Sequence, residues 1–388
     1  MIPLGLGIIE SECAPEFIAQ TDIPENYVNS FLGFFTTTDR FALLKHTKSY
    51  ATHEFSVISR IRQQWMSLEA AANRLPVVYY GLLANDDMRK DYVIECQTDT
   101  DFQDEFIKYQ ADELYRERIG HLNWRTVNLK HTFAHRLQHI CKLLKIKHNW
   151  NEFPKVSLIT PTYRKETLIN CVKNYEKINY PSKELILVFN GNLLPDSADI
   201  GLQHPREDII IDHVPSELFA GAALNVGHQH ATGKYLFRID DDDYYGENYI
   251  LDMVLLARSV SADLFGKSPV PIVFENEKTA YIKKDMNSLL IIPTVNISSG
   301  ETWIGGNTIS GSNNFFKRNK YIDYSYGTAD TAMQINSKFS LNDVVVFMDK
   351  FNVVAERKAD IQFHTWKVDH DKLKMARLII PNYNDLFL

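Results

Sequence analysis

Lys234-Tyr-Leu-Phe-Arg-Ile-Asp240-Asp241-Asp242-Asp243 decides how this chain is read. An apolar, β-favouring run passes directly into four consecutive carboxylates, with Gly246 closing the turn. Adjacent negative charges repel one another, and a strand end has no reason of its own to carry them. Something positive is expected beside them, and a divalent cation is the usual answer. The alternative is a solvated acidic turn. A calcium loop fits poorly. With Asp241 at position 1, Gly246 falls at 6 and Asp252 at 12, but Tyr245 takes position 5 and a strand stands where a helix should.

The residues before this stretch repeat its form. Lys155-Val-Ser-Leu-Ile-Thr-Pro161 is a short β-rich run stopped by proline, and Lys165 to Lys177 carries a helical stripe at 168, 169, 172 and 175. Glu184-Leu-Ile-Leu-Val-Phe-Asn190-Gly-Asn192 predicts a second strand ending in a polar turn, and Asp208-Ile-Ile-Ile-Asp212 a third. Ala220 to Ala231 predicts a small-residue helix with Gly233 as its stop. Strands alternating with helices imply parallel βαβ units, so the expected fold class is α/β with a doubly wound, mainly parallel sheet. Such sheets bind ligands at the carboxyl ends of their strands. The turns after Thr160, Phe189 and Ile239 all lie on that edge. Downstream, Glu247 to Val260 predicts an amphipathic helix, while Phe265-Gly-Lys and Ile272-Val-Phe predict strands that extend the sheet.

Four pieces stand in order: Val156-Ser-Leu-Ile-Thr-Pro-Thr-Tyr163, Glu184-Leu-Ile-Leu-Val188, Gly221-Ala-Ala-Leu-Asn225-Val-Gly227 with Ala231-Thr-Gly233-Lys-Tyr235, and Ile239-Asp-Asp-Asp-Asp243. Together they resemble inverting family 2 glycosyltransferases with the GT-A fold, over about residues 154–370. The resemblance implies that Thr160, Pro161 and Tyr163 line a uracil and ribose pocket. The family's Asp pair after the second strand is Asn190-Gly-Asn192 here. Asn190 can still bond the base as donor and acceptor, but the departure leaves the nucleotide open. Gly221 and Asn225 match the segment beside the nucleotide, with a helix-surface place as the alternative for Asn225. Asp240 and Asp242 match the ends of the DxD motif. Asp240 would face ribose or metal, Asp241 would join the nucleotide-sugar contacts, and Asp242, with Asp243 beside it, would ligate Mn²⁺ or Mg²⁺.

Further on, Trp303-Ile-Gly305-Gly306 resembles the family's acceptor-side segment. Glycines allow close backbone approach to a sugar, and Trp303 could stack on a sugar face or be ordinary core. Tyr326-Gly-Thr-Ala-Asp330 stands where the family has an acidic pair. An inverting transfer needs one carboxylate to take the acceptor hydroxyl's proton, and Asp330 fits that role, with an N-cap as its rival reading. His364, in Ala359-Asp-Ile-Gln-Phe-His364-Thr-Trp-Lys367, matches a late segment that closes over the donor. It is either a metal ligand or a structural histidine, and Lys367 would lie near the diphosphate.

Residues 1–150 read as a separate, helix-rich α/β domain, with 151–388 as the GT-A domain and a C-terminal extension. Phe55-Ser-Val-Ile-Ser is strand-like, Ile61 to Asn73 is a strong helix, and Leu75 to Gly81 and Val93 to Cys96 predict strands. From Asp101 to Ile146 the pattern is helical almost throughout. His131, His135 and His139 would share one helical face, as a metal face or, with no acidic partner in register, as structural residues. The order of elements over residues 55–145 resembles the C-terminal half of CgeB-like GT-B glycosyltransferases, which implies a remnant or truncated module. Lys147 to Pro154 reads as a linker.

The whole chain has 388 residues, 45% hydrophobic, and a net charge of -7. That core is ample for two domains, and the charge argues against a nucleic-acid partner. Cys13, Cys96, Cys141 and Cys171 show no metal spacing and read as reduced thiols of a cytoplasmic protein. The N-terminus has no basic region ahead of its apolar run, so no signal peptide is expected. The apolar stretches Leu378-Ile-Ile-Pro and Leu386-Phe-Leu read as a docked tail, with peripheral membrane contact at the inner face as the alternative. The expected function is metal-dependent, inverting transfer of a sugar from a nucleotide-diphosphate sugar, UDP by resemblance, to a hydroxyl of a glycan or lipid-linked acceptor in surface polysaccharide synthesis. The alternatives are a non-catalytic carbohydrate-binding or scaffold module and a sugar nucleotidyltransferase.

Overall fold

The computed structural model describes residues 44–52, 57–148, 153–283, 290–292, 308–323, 333, 337, 339–340, 342–360, 368–374 and 377–388. The chain divides into two units, Met1–His148 and Asn149–Leu388.

The first unit is built on three short parallel strands, β1 (Tyr50–Thr52), β2 (Val77–Tyr80) and β3 (Val93–Cys96), in that order. The helix Val57–Ala72 begins inside the run expected to be a strand, because Val57 and Ile58 lead into a long series of good helix formers. The expected long helix is three: Asp99–Ala111, Glu113–Lys130 and Phe133–Leu143. Two polar residues make the breaks. Asp112 caps the second helix by accepting from Tyr115 N at 2.9 Å, and Thr132 precedes the third in a capping box with His135. The break separates the histidines. His131 ends one helix and bonds Asp91 at 2.9 Å, while His135 Nδ1 meets Thr132 Oγ1 at 2.7 Å. Their shared face does not form, and both residues hold structural bonds.

The second unit carries an eight-stranded sheet in the order β12-β14-β9-β13-β7-β4-β5-β6. These strands are β4 (Val156–Thr162), β5 (Lys183–Asn190), β6 (Ile209–Val214), β7 (Tyr235–Arg238), β9 (Leu264–Lys267), β12 (Leu290–Ile292), β13 (Ser310–Ser312) and β14 (Val345–Met348). β7, β4, β5 and β6 run parallel, as does the pair β9–β14, and β13 joins the two groups antiparallel. The core strand β4 is buried at every position, as expected of a strand covered on both faces.

Helices cover both faces. Leu168–Lys177 buries Leu168, Cys171, Val172 and Tyr175, while Ile169 is exposed, so the stripe is turned slightly from the expected one. Ala220–His230 packs on β4, β5 and β6, and Ile159, Ile186, Val188, Ala223 and Leu224 share one core with Phe315 and Phe347. Each buried Ile, Val, Leu or Phe of this core contributes about 1.5–3 kcal/mol. Gly233 is not a helix stop. A Cβ there would lie 2.6 Å from Ser157 N, so glycine permits the chain to press against β4. Tyr249–Ser259 is buried on nearly every side instead of being amphipathic.

A second sheet, β16-β11-β10-β15-β8, starts at the acidic run itself. Its strands are β8 (Tyr244–Tyr245), β10 (Ile272–Phe274), β11 (Ala280–Lys283), β15 (Val353–Arg357) and β16 (Arg377–Ile380). Ile272 to Phe274 therefore does not extend the main sheet. Leu386 is fully buried, and Leu388 N donates to Asn352 Oδ1 at 2.9 Å, so this tail is docked.

Candidate active site

The carboxyl ends of β5, β4 and β7 form one edge, as parallel pairing requires. Thr162 of β4 is in register with Phe189, the residue before Asn190, and Thr162 Oγ1 donates to Asp241 Oδ2 at 2.5 Å. Two inter-strand steps separate the outer members, on the order of 10 Å.

The four aspartates are not alike. Asp240 receives the Arg238 guanidinium in a fork, Nε to Oδ1 at 2.6 Å and Nη2 to Oδ2 at 3.0 Å, while its backbone N–H donates to Tyr245 OH at 2.9 Å. Asp241 is buried. Besides Thr162 it accepts from Thr167 Oγ1 at 2.7 Å and from Arg164, Nε at 3.1 Å and Nη2 at 2.5 Å. Among the described residues Asp242 meets only the same Arg164 Nη2, at 2.8 Å to Oδ2, and its second oxygen has no partner there. Asp243 is buried and accepts from Glu356 N at 3.2 Å.

Burial and the neighbouring charge of Asp242 push the Asp241 carboxyl above its usual range, against the pull of Arg164, Thr162 and Thr167. Burial works against the charge on Arg164, but Asp241 and Asp242 outweigh it and hold the guanidinium more firmly protonated. Arg357, on β15, is lowered by burial while Asp242 and Asp243 pull it up. The positive charge that the acidic run demands is thus supplied in part by the protein, through Arg164, Arg238 and Arg357. Among the described residues no group of three or more His, Cys, Asp or Glu side chains is arranged to hold a metal ion.

The other expected site residues fall in distinct places. Thr160 is buried and its hydroxyl has no partner among the described residues, Pro161 is buried, and Tyr163 is exposed with the Arg164 guanidinium 5.4 Å from its ring. Asn190 is buried and donates Nδ2 to the carbonyls of Leu218 and Phe219 at 3.2 and 3.3 Å, leaving Oδ1 without a partner among the described residues. Asn225 has both amide atoms engaged by the Tyr321 backbone, at 2.7 and 3.0 Å, which makes it a clamp between segments. Gly221 closely approaches the backbone of Ile322, and a Cβ would meet that carbonyl at 2.7 Å. Asp323 caps the helix starting at Ala220, accepting from Phe219 N and Ala222 N at 3.0 Å each. Gly246 serves close approach, since a Cβ would lie 2.5 Å from Asn352 Oδ1. Asp252 is buried and bonded to Asn352 Nδ2 at 2.8 Å, which removes it from any calcium loop. Trp303, Gly305, Gly306, Asp330, His364 and Lys367 lie outside the described residues.

Sequence reasoning missed Arg164, Thr162, Thr167, Arg238 and Arg357. Arg238 stands two residues before Asp240, on the same side of the strand by period two, and that spacing was the available signal.

Residues 157–344 match the model of glycosyl transferase family 2, so the second unit carries a domain of that family, with its GT-A fold. No curated protein matches the chain. Among solved structures, S. aureus TarS 1-349 is similar at 15% identity, covering 52% of this chain and 60% of that one, with a TM-score of 0.39. The same protein in complex with UDP-GlcNAc gives 14% identity, 53% and 59% coverage and a TM-score of 0.40. Its complex with UDP gives 14%, 52%, 60% and 0.40. The chain thus spans about 60% of the length of these structures, and likeness at this level does not define a substrate. Among the described residues no helix is long and apolar enough to cross a membrane.

Proposed function

We propose that this protein is a metal-dependent, inverting glycosyltransferase that moves a sugar from a UDP-sugar to the hydroxyl of a glycan or lipid-linked acceptor in surface polysaccharide synthesis. The observation that carries the reading is the oxygen of Asp242 that has no partner among the described residues, at the carboxyl end of β7 beside Arg164. A hard cation needs only one or two carboxylates when phosphate oxygens complete its shell. Asp242 fits that donor set. Asp240, with both oxygens on Arg238, fits it less well, and His364 remains a candidate on sequence alone. When bound, Mn²⁺ or Mg²⁺ would neutralise charge on the departing diphosphate.

The chain's own residues supply the rest. Arg164 holds Asp241 and Asp242 at a fixed spacing. Asn190 supports uridine in spite of its departure from aspartate. Its NH₂ is committed to two carbonyls, so it offers an acceptor, which suits the N3–H of uracil and not the bare N3 of cytosine. Asp330 takes the acceptor proton, an assignment resting on its place in the sequence. Asp330→Asn is expected to leave UDP binding intact and lower turnover about 10²–10⁴-fold. The assay follows UDP release from a panel of UDP-sugars with Mn²⁺. Turnover near that of the wild type would remove Asp330 from the role, and no turnover with any UDP-sugar by the wild type would favour a non-catalytic module.

A further inference from the structure

The helix Phe133–Leu143 is turned outward from what a globular unit requires. Phe133, Leu137, Ile140 and Leu144 follow the i, i+4, i+7, i+11 spacing of one apolar stripe, and they are 72%, 60%, 49% and 64% exposed. None of the helix's residues is buried, and its half-buried side presents Ala134, His135, Gln138 and Cys141. The stripe continues onto the helix Val57–Ala72, where Trp65 lies 5.6 Å from the Phe133 ring, centroid to centroid. A contiguous exposed apolar surface of this kind marks an interaction site.

Charge identifies the occupant. Residues 131–148 hold Arg136, Lys142, Lys145 and Lys147 and no Asp or Glu, in a chain whose net charge is -7. All four cations are exposed, and among the described residues none has a carboxylate partner. A second copy docked about a two-fold axis would bring this basic segment against itself, which electrostatics disfavours. An apolar stripe with aromatic residues at one end, Arg136 at its flank and Lys145 and Lys147 beyond its far end is what an interfacial helix presents to lipid. The apolar face enters the headgroup boundary while Lys and Arg reach the phosphates. We infer that the helix Phe133–Leu143 docks the protein on an anionic membrane surface, independently of the chemistry at the acidic strand end.

The test uses the full chain in co-sedimentation with vesicles of phosphatidylcholine, alone or mixed with phosphatidylglycerol. Binding is expected only to the mixed vesicles. Arg136→Gln with Lys145→Gln should weaken it roughly thirtyfold, at about fivefold per cation. Leu137→Ser with Ile140→Ser should weaken it about tenfold or more. Both pairs are exposed, so an unchanged circular dichroism spectrum is expected. Absence of binding to the mixed vesicles would overturn the inference, as would unchanged binding by the Leu137/Ile140 variant. A wild-type dimer that this variant dissolves would overturn it in favour of self-association.

Discussion

At the amino ends of β4 and β5, Glu184 is buried and accepts from Ser157 Oγ at 2.6 Å, Thr232 N at 2.8 Å and Thr232 Oγ1 at 3.0 Å, with Lys155 Nζ 2.6 Å away. Burial works against its charge, but these partners outweigh burial and hold the carboxyl below its usual range. At the carboxyl ends of the same sheet, Asp241 is also buried and as well bonded, yet it stands above the usual range. Deeper burial is the first cause of the difference, and the neighbouring charge of Asp242 is the second. On Glu184 the donors outweigh burial, whereas Asp241 is more deeply desolvated and also feels the charge of Asp242. A carboxylate that only holds strands together is surrounded by donors that outweigh the cost of burying its charge. Carboxylates crowded together against that cost mark the end of the sheet where a charged ligand belongs.

Three perturbations sharpen this contrast. The largest effect is expected at the open carboxylate. Asp242→Asn should lower metal-dependent UDP affinity about 100-fold or more, with little change in stability because the side chain is partly exposed and meets one donor. A calorimetric titration together with urea unfolding separates the two. Next, Glu184→Ala should cost about 3 kcal/mol of stability, since Ser157 and Thr232 lose a buried acceptor. UDP affinity of the folded fraction should stay as in the wild type. If both variants lost affinity and stability in parallel, the two ends of the sheet would not be functionally distinct.

The smallest effect is in pH dependence, and it has opposite signs at the two ends. Glu184 has a depressed folded pKa, so its stabilising contribution is present above its unfolded value of 4.5 and is lost as pH falls through the folded value. Asp241 has a raised folded pKa, so its contribution is present below 3.8 and is lost as pH rises through the folded value. Urea unfolding from pH 7 down to about pH 3 should show Glu184→Gln flattening the acid loss of stability. Asp241→Asn should instead gain on the wild type as pH rises. Equal slopes for the two variants would contradict the assignment of causes.

Much of the second unit was legible in the chain. The period changes from two to 3.6 between Val156 and Arg238 mark β4, β5, β6 and β7 and the helices between them, and strand ends in parallel sheets identify the edge. What was not legible depends on long-range packing. β13 is Ser-Gly-Ser, without an apolar signal, yet it joins two groups of parallel strands. The second sheet pairs β8 with β15, over a hundred residues apart. Asn225 looks like a nucleotide contact by motif, and only the folded chain brings the Tyr321 backbone to both its amide atoms. The cation demanded by the acidic run was sought in a metal, while Arg164, 77 residues before Asp241, already supplies part of it.

The most direct measurement of the central claim is calorimetric titration of the wild-type protein with UDP, with and without Mn²⁺, beside the Asp242→Asn variant. Binding by the wild type is expected in Mn²⁺, with little or none without the ion or in the variant. Equal UDP affinity in all three titrations, or no UDP binding by the wild type in Mn²⁺, would contradict that claim.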